Sequence, residues 1–317
     1  MLYHQAAIKD KRGIIYYVFG NQSFSDVIYA IPYYFPKEYF HSKFLPKNKF
    51  YQRVEIERVL KRGYFRIHNI SKAFLLAKDL NCTLVVDKRF GIPIFALKKE
   101  DILKVYPLMN KKNYKILNQI ENFFGIPKKN MAIIRSRSIG VDTPHSNIDI
   151  AIFGKNNFKK FYKDFDRFVL EKGYENYLNQ RKQRHLNLLP PQYKNIKELF
   201  LKKRVFSFSD KNKSYDFYFI NHKKETQNLS FIKDIGTFKI KAKIISSEES
   251  YFFPHLYKIK ILGPKKNIPK FKSYIILYGL HLSGVFSKGD VINIKAKTKL
   301  ISIDGKEVLF LFPSKFI

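Results

Sequence analysis

Arg135-Ser-Arg-Ser-Ile-Gly-Val-Asp-Thr-Pro-His-Ser-Asn-Ile-Asp-Ile-Ala-Ile-Phe-Gly154 is the segment that decides the fold expected for this chain. Its second half, 148–153, is an apolar run typical of a buried strand, interrupted only by Asp149. A carboxylate in such a strand is costly unless it binds a cation or a hydrogen-bond donor. The preceding turn can offer hydroxyls and backbone N–H groups to an anion. This combination predicts metal-assisted phosphoryl or nucleotidyl transfer. The small residues of the turn are Ser136, Ser138 and Gly140.

The segment resembles the signature of the DNA-polymerase-beta-like nucleotidyltransferase superfamily, which is Gly-Ser on a turn and, after a short spacer, Asp-hydrophobic-Asp on a strand. Ser136 matches the serine and Asp149 the second aspartate, whereas Arg135 stands in place of the glycine and Asn147 in place of the first aspartate. The order of landmarks also resembles a group of predicted archaeal nucleotidyltransferases, in which an N-terminal region precedes the core and a small β domain follows it. The other similar pieces are Lys11-Arg-Gly-Ile-Ile-Tyr16, Val86-Asp-Lys-Arg-Phe-Gly-Ile-Pro-Ile94 and Phe253-Pro-His-Leu-Tyr257.

The resemblance implies a catalytic site that transfers a nucleotidyl group from a nucleoside triphosphate to an acceptor that the sequence does not identify. Carboxylates in such a site hold Mg²⁺ ions that bridge phosphate oxygens. The expected catalytic residues are Asp149 and Asp216, with Asn147 as a further metal ligand. The expected nucleotide-binding residues are Ser136, Ser138, Gly140 and Arg135.

The two departures from the signature also favour a second hypothesis, a catalytically inactive nucleic-acid-binding protein built on the same fold. Asn147 carries no charge, and Arg135 is a bulky cation that either blocks close approach of the backbone or binds a phosphate directly. Asp142 is an alternative ligand. The plainer alternatives are that Asp149 caps a turn or pairs with a lysine, that Asp216 is an ordinary hairpin residue, and that the serines only form a turn.

Hydrophobic spacing predicts an α+β chain of three parts: an N-terminal α/β region (1–108), a central α/β core (109–222) and a C-terminal five-stranded, OB-like β-barrel (223–317). The resemblance implies that the core is nucleotidyltransferase-like. The core pattern is helix, strand, loop, strand, helix, with helices at 112–124 and 157–172. We expect a polar linker over 221–236, and then five strands without a long helix. In the N-terminal region we expect a hairpin at 13–35, helices at 71–80 and 98–106, and a strand at 83–87. The segment 51–61 is either helical or extended.

Composition is that of a folded, strongly basic protein. The chain has 317 residues, 45% of them hydrophobic, and a formal net charge of +34. It contains no apolar run of about 18 residues, and its first residues lack a secretory signal, so we expect a cytoplasmic protein without a membrane partner. The charge favours contact with nucleotide, RNA or DNA. However, only 12 of the 60 basic residues are Arg, and lysine-rich composition is also what A/T-rich coding produces.

Two basic stretches are candidates for nucleic-acid contact. Arg181, Lys182 and Arg184 follow one another closely, and Lys239, Lys241 and Lys243 alternate with apolar residues on a strand. Small barrels often bind single strands through a cationic groove and aromatic rings, here Tyr251, Phe252 and Tyr257. The alternative is that alternating lysines are simply the solvated face of an antiparallel sheet.

Overall fold

The structure is a computed structural model that describes residues 2–22, 25–86, 89, 93–106, 108, 114–175, 186, 195–211, 213–221, 229–263, 268–278 and 282–317. The fold is mixed α+β. The chain divides into two compact units, one of Met1–Phe168 with Ser209–Glu225 and one of Val169–Phe208 with Thr226–Ile317. None of the helices in these ranges is long and apolar enough to cross a membrane.

The N-terminal part of the first unit is a seven-stranded sheet in the order β5-β6-β3-β2-β1-β7, with β4 beside β3. The expected hairpin at 13–35 is confirmed, since β2 and β3 pair antiparallel. Helix α1 resolves the ambiguity at 51–61, and α2 confirms the helix at 71–80. The elements are β1 (Ala7–Asp10), β2 (Ile15–Val18), β3 (Val27–Pro36), α1 (Lys49–Arg62), β4 (Tyr64–Arg66), α2 (Ile70–Asp79), β5 (Leu84–Val86), β6 (Pro93–Lys98) and β7 (Ile102–Tyr106).

The expected helix at 98–106 is wrong. A short 3-10 helix at Lys99–Asp101 leads into β7, which pairs antiparallel with β1. β-Branched and aromatic residues favour a strand over a helix in this run. β7 lies at the edge of the sheet, where Leu103 and Val105 are exposed.

Buried Asp10 explains why the piece beginning at Lys11 turns tightly. Its carboxylate accepts hydrogen bonds from the backbone N–H groups of Arg12 and Ile14 and from the Tyr16 hydroxyl, at 2.9–3.0 Å. Gly13 between them has φ 83°, and a Cβ added there would lie 2.8 Å from Pro36 Cγ. The β1–β2 turn therefore requires an acceptor at position 10 and glycine at position 13.

The second sheet of this unit has four strands in the order β10-β11-β9-β8. β8 and β9 pair antiparallel, whereas β9 and β11 are parallel. Phenylalanines of α5, including Phe161 and Phe165, pack on Phe217 of β11. The expected helices and strands around the motif are thus present. They are α3 (Lys115–Phe124), β8 (Met131–Ile134), β9 (Ile148–Phe153), α5 (Lys155–Glu171), β10 (Ser207–Asp210) and β11 (Lys213–Ile220). Two short helices were not expected: α4 (Ser136–Ile139) in the motif turn, and α6 (Lys197–Lys202), which belongs to the second unit.

The expected C-terminal barrel is confirmed as a closed barrel of five strands in the order β12-β13-β14-β16-β15. Only the pair β14–β16 is parallel. The interior is filled by alternate apolar residues such as Ile240, Ala242 and Ile244. The strands are β12 (Leu229–Ser246), β13 (His255–Gly263), β14 (Lys272–Leu277), β15 (Val291–Ile303) and β16 (Lys306–Phe316).

The expected linker over 221–236 is wrong at its C-terminal end, because β12 already begins at Leu229. Residues 222–228 lie outside the described part of the chain. The register of β12 against β15 shifts between Phe231 and Lys233 and again between Asp234 and Gly236. Such bulges interrupt the alternation of apolar and polar residues, which is why this half of the strand looks irregular in the sequence.

Candidate functional site

The two aspartates expected in the catalytic site lie side by side. Asp216 of β11 is the direct partner of Asp149 of β9 in the parallel register. Both are buried, with 8% of Asp149 and 3% of Asp216 exposed. Neighbouring strands are about 4.8 Å apart, and two carboxylates at that separation repel each other unless a cation or hydrogen-bond donors compensate them. The partners of each aspartate therefore determine what this site can do.

Arg135 supplies the cation for Asp149. Its Nη1 lies 3.8 Å from Asp149 Oδ1. Two further contacts hold the guanidinium there: Nε donates to Gln5 Oε1 at 3.2 Å, and the group lies 4.4 Å from the centroid of the Tyr218 ring. Because arginine is not deprotonated in proteins, Arg135 is a permanent positive charge beside Asp149.

The backbone of Arg135 adopts a conformation that normally requires glycine. Its φ is 62° and its ψ is −137°. For a residue with a Cβ, such a conformation costs about 1–3 kcal/mol and persists only where the surroundings enforce it. This is the position at which the resembled signature has glycine. The turn thus has a glycine-like backbone, but the residue there also places a guanidinium beside Asp149.

Asn147 provides a donor for Asp216. Its Nδ2 donates to Asp216 Oδ2 at 3.0 Å. In this arrangement the amide satisfies the carboxylate by a hydrogen bond, whereas an aspartate at this position would add a third negative charge. Each of the two buried aspartates therefore has a partner from within the first unit.

Arg135 weakens this set of residues as a Mg²⁺ site. Mg²⁺ is usually held by one or two carboxylates together with waters and substrate phosphates. Here Asp149 and Asp216 are the only acidic members of the expected set, and Arg135 cancels one of their two charges. Within the described ranges, no group of three or more His, Cys, Asp or Glu side chains is arranged to hold a metal ion.

The serine turn is closed by its own hydrogen bonds. Both the N–H and the hydroxyl of Ser138 donate to the carbonyl of Arg135, at 3.0 and 2.8 Å. The N–H of Val141 donates to the carbonyl of Ser136 at 3.0 Å. Ser136 is buried, and Gly140 ends α4 with φ 74°. The donors of Ser138 thus stabilise the turn. That these residues bind a nucleotide stays a prediction.

Arginines of α1 hold the segment that follows the serine turn. Arg58 Nε donates to the Val141 carbonyl at 3.2 Å, and Arg62 Nε donates to the Asp142 carbonyl at 3.1 Å. Asp142, the alternative metal ligand, forms an ion pair with Arg137 at 3.1 Å. These contacts were not predictable from the sequence, because α1 lies some 80 positions earlier in the chain.

Buried Glu55 fixes Arg58 in turn. Its carboxylate accepts hydrogen bonds from the Arg58 guanidinium, from the Arg66 N–H at 2.7 Å and from His68 Nε2 at 3.2 Å. Burial, with the charge of Arg66, lowers the pKa of His68 to about 4. Burial alone would raise the pKa of Glu55, but its hydrogen bond with His68 and the charge of Arg58 lower it below its ordinary value. At neutral pH, His68 is therefore an uncharged hydrogen-bond donor to an ionised Glu55.

The three expected contact lysines on β12, Lys239, Lys241 and Lys243, are exposed on the outside of the barrel. Two of the three aromatic residues expected near them are not available for stacking, so the expectation is wrong for those two. Phe252 and Tyr257 are buried, and the Tyr257 hydroxyl donates to the Leu282 carbonyl at 2.8 Å. Arg181, Lys182 and Arg184 lie outside the described residues.

The barrel has a basic groove that was not predicted from the sequence. The antiparallel ladder of β13 and β14 ends at the pair Ile259–Ser273. A cavity of about 440 Å³ lies beside this end, with apolar residues, including Phe271, on its walls. The alternation of lysine with isoleucine at 258–261 was the signal that could have revealed it. Its four lysines are Lys258, Lys260, Lys270 and Lys272.

Comparison with known proteins adds no assignment: no family model, no curated protein and no solved structure matches the chain.

We predict that acid will weaken the fold through His68. Its pKa is lower in the folded protein than in the unfolded chain, so the unfolded chain binds the extra proton first as the pH falls below about 6.5. Stability should drop by on the order of 3 kcal/mol between about pH 6.5 and 4. Loss of the Glu55 contribution begins near its unfolded pKa of about 4.3 and is completed below its lowered folded value. Urea unfolding across this range measures the effect.

In the His68→Gln variant, the free energy of unfolding should fall less steeply over the same range. His41→Gln is the matched control, because His41 is exposed and should leave the slope unchanged. Equal slopes for the wild type and the His68 variant would contradict the assignment.

Proposed function

We propose that this protein binds single-stranded nucleic acid through its C-terminal barrel and that its nucleotidyltransferase-like core is catalytically silent. The observation that carries the binding proposal is the groove beside β13 and β14, where four lysines surround an apolar wall that includes Phe271. Lysines attract phosphates, and an aromatic ring gives a nucleobase a surface on which to stack.

The connectivity of the barrel supports this proposal. Five strands close with the third and fifth parallel and the other pairs antiparallel, which is the connectivity of an OB-like fold. Barrels of this type bind oligonucleotides on the face formed by their second and third strands. In this chain those strands are β13 and β14, the two strands that line the groove.

The size and chemistry of the groove match a nucleotide. Ligand sites usually have volumes of about 300–1,000 Å³ and apolar walls with a few polar groups, and this cavity measures about 440 Å³. Its charged groups are cationic and come from both strands. A base can therefore lie against Phe271 and the isoleucines while its phosphates face the lysines.

Arg135 and Asn147 support the proposal that the core is catalytically inactive. The guanidinium compensates Asp149, and the amide satisfies Asp216. A divalent ion placed between the two aspartates would lie beside a fixed positive charge that already pairs with Asp149. We infer that the core serves as a folded platform for the chain.

A second candidate function is nucleotidyl transfer itself. It is favoured by the register that makes Asp149 and Asp216 direct partners on parallel strands. In that case Arg135 would have to leave Asp149 and bind the triphosphate, which is a role that the charge and fork geometry of arginine permit.

We predict that the wild-type protein binds a fluorescently labelled oligothymidylate with an affinity that falls steeply as salt rises, because binding releases counterions from the phosphates. Phe271→Ala should weaken binding by about 1–3 kcal/mol, the contribution of one stacked base. Phe50→Ala removes an exposed aromatic residue of the first unit and should have no effect. Fluorescence anisotropy measures all three proteins. Weak binding that does not depend on salt would refute the proposal.

For the second candidate, calorimetry should separate the two functions. We predict that the wild type binds no nucleoside triphosphate in a Mg²⁺- or Mn²⁺-dependent manner, and that Arg135→Gly combined with Asn147→Asp gains such binding, because the double variant restores the third carboxylate and removes the competing cation. Metal-dependent binding by the wild type that is lost in Asp149→Ala would instead support nucleotidyl transfer.

A further inference from the structure

The outer face of the barrel carries lysines that lie directly opposite one another in the register. Lys239 of β12 is the partner of Lys295 of β15, and Lys295 is the partner of Lys315 of β16. All three are exposed. We call Lys239, Lys295 and Lys315 the lysine ladder.

The lysine ladder is unfavourable for the isolated barrel. Like charges directly opposite one another on paired strands destabilise a sheet. Asp234 pairs with Lys297 at 3.6 Å on the same strands, but no ion pair formed by ladder lysines occurs among the residues that the structure describes. The three lysines therefore repel one another. Charges of alternating sign at these positions would have avoided that repulsion.

Protection of a sheet edge explains only part of the ladder. Lysines often occur on edge strands, where they prevent pairing with other chains. In the described residues the pairing of β12 with β13 ends at Lys241, and the pairing of β16 with β14 ends at Leu311, so Lys239 and Lys315 lie beyond these pairings. Lys295 has a partner on both sides and protects no edge. An anionic partner that neutralises the row gives these charges a function.

The ladder is continuous with the groove. Lys260, which lines the groove, is the direct partner of Lys243 on β12. Lys243, Lys241 and Lys239 then follow on the outer face of β12, and Lys239 leads to the ladder. With about 3.4 Å per residue along a strand and about 4.8 Å between strands, the path from Lys260 to Lys315 is roughly 28 Å long.

We propose that this path is a track for the phosphate backbone of the single strand whose base occupies the groove, an inference that rests on the proposed function. The exposed residues along it are lysines, and the aromatic ring lies in the groove. The groove therefore holds a base, and the track holds phosphates without reading sequence. The strand leaves the groove at Lys260 and crosses β12 toward β16.

The test compares oligothymidylates of about 4 and about 16 nucleotides, the range of site sizes for barrels of this kind. For the wild type, affinity should rise with length. In the ladder variant, Lys239→Gln with Lys295→Gln and Lys315→Gln, the long oligonucleotide should lose much of this gain. Its plot of log affinity against log salt should become shallower by about two, because three phosphate contacts on a single strand are lost.

A stability measurement distinguishes this loss from damage to the fold. Removing the opposed charges should raise the urea midpoint of the ladder variant above that of the wild type, even though binding is weaker. The matched control removes three exposed lysines of the first unit, Lys78→Gln, Lys129→Gln and Lys163→Gln, and should retain the length dependence and the salt slope.

One result would contradict the phosphate track alone, and a different result would contradict the proposed binding function. If the wild type binds both oligonucleotides and the ladder variant matches it in salt slope and length dependence, the track is wrong while the proposed function stands. If the wild type binds neither oligonucleotide, the proposed function itself fails.

Discussion

The contact between Arg135 and Asp149 is the interaction on which the rest of the core depends. A buried carboxylate next to a second one needs a cation, and a metal ion or a side chain can supply it. In this chain a side chain does so, 3.8 Å from the carboxylate. The cost is a backbone conformation at Arg135 that glycine would adopt without strain. The same residue thus explains why the turn is strained and why a fixed positive charge lies beside the aspartates.

The surroundings of the turn are organised to keep Arg135 in place. Gln5 and Tyr218 contact its guanidinium, and Arg58, fixed by Glu55, holds the segment after the turn. These contacts come from sequence-distant elements of the first unit. A core held in this way suits a platform. The binding function that we propose lies in the second unit, where lysines and Phe271 share one groove.

Helices and strands whose apolar residues recur at regular spacing were predictable from the sequence. The alternation over 237–245 correctly predicted the exposed lysines of β12. The helix ends predicted from Gly125 and Gly173 lie close to the observed ends of α3 and α5. The strand at 148–153 and its acidic interruption were also evident. What failed had a physical cause in each case: β7 is an edge strand with exposed apolar residues, and the bulges of β12 hid its first half.

The candidate site was predictable in its residues but not in their partners. The sequence indicated that Asp149, Asp216, Asn147 and Arg135 belong together, yet it gave no means of knowing that Arg135 faces Asp149 or that Asn147 donates to Asp216. Those contacts depend on the parallel register of β9 and β11 and on a positive φ. The buried positions of Phe252 and Tyr257 likewise depend on which side of the barrel wall each residue faces.

A double-mutant cycle on Arg135 and Asp149 tests the central claim most directly. Arg135→Gln keeps a residue with a Cβ at the strained position but removes the charge, and Asp149→Asn removes the carboxylate. The free energies of unfolding of the wild type, the two single variants and the double variant are measured in urea with a chelator present. The account predicts that each single change destabilises the core and that the two effects couple by about 1–3 kcal/mol. Additive effects, within about 0.5 kcal/mol, would show that Arg135 does not stabilise Asp149 and would contradict the account.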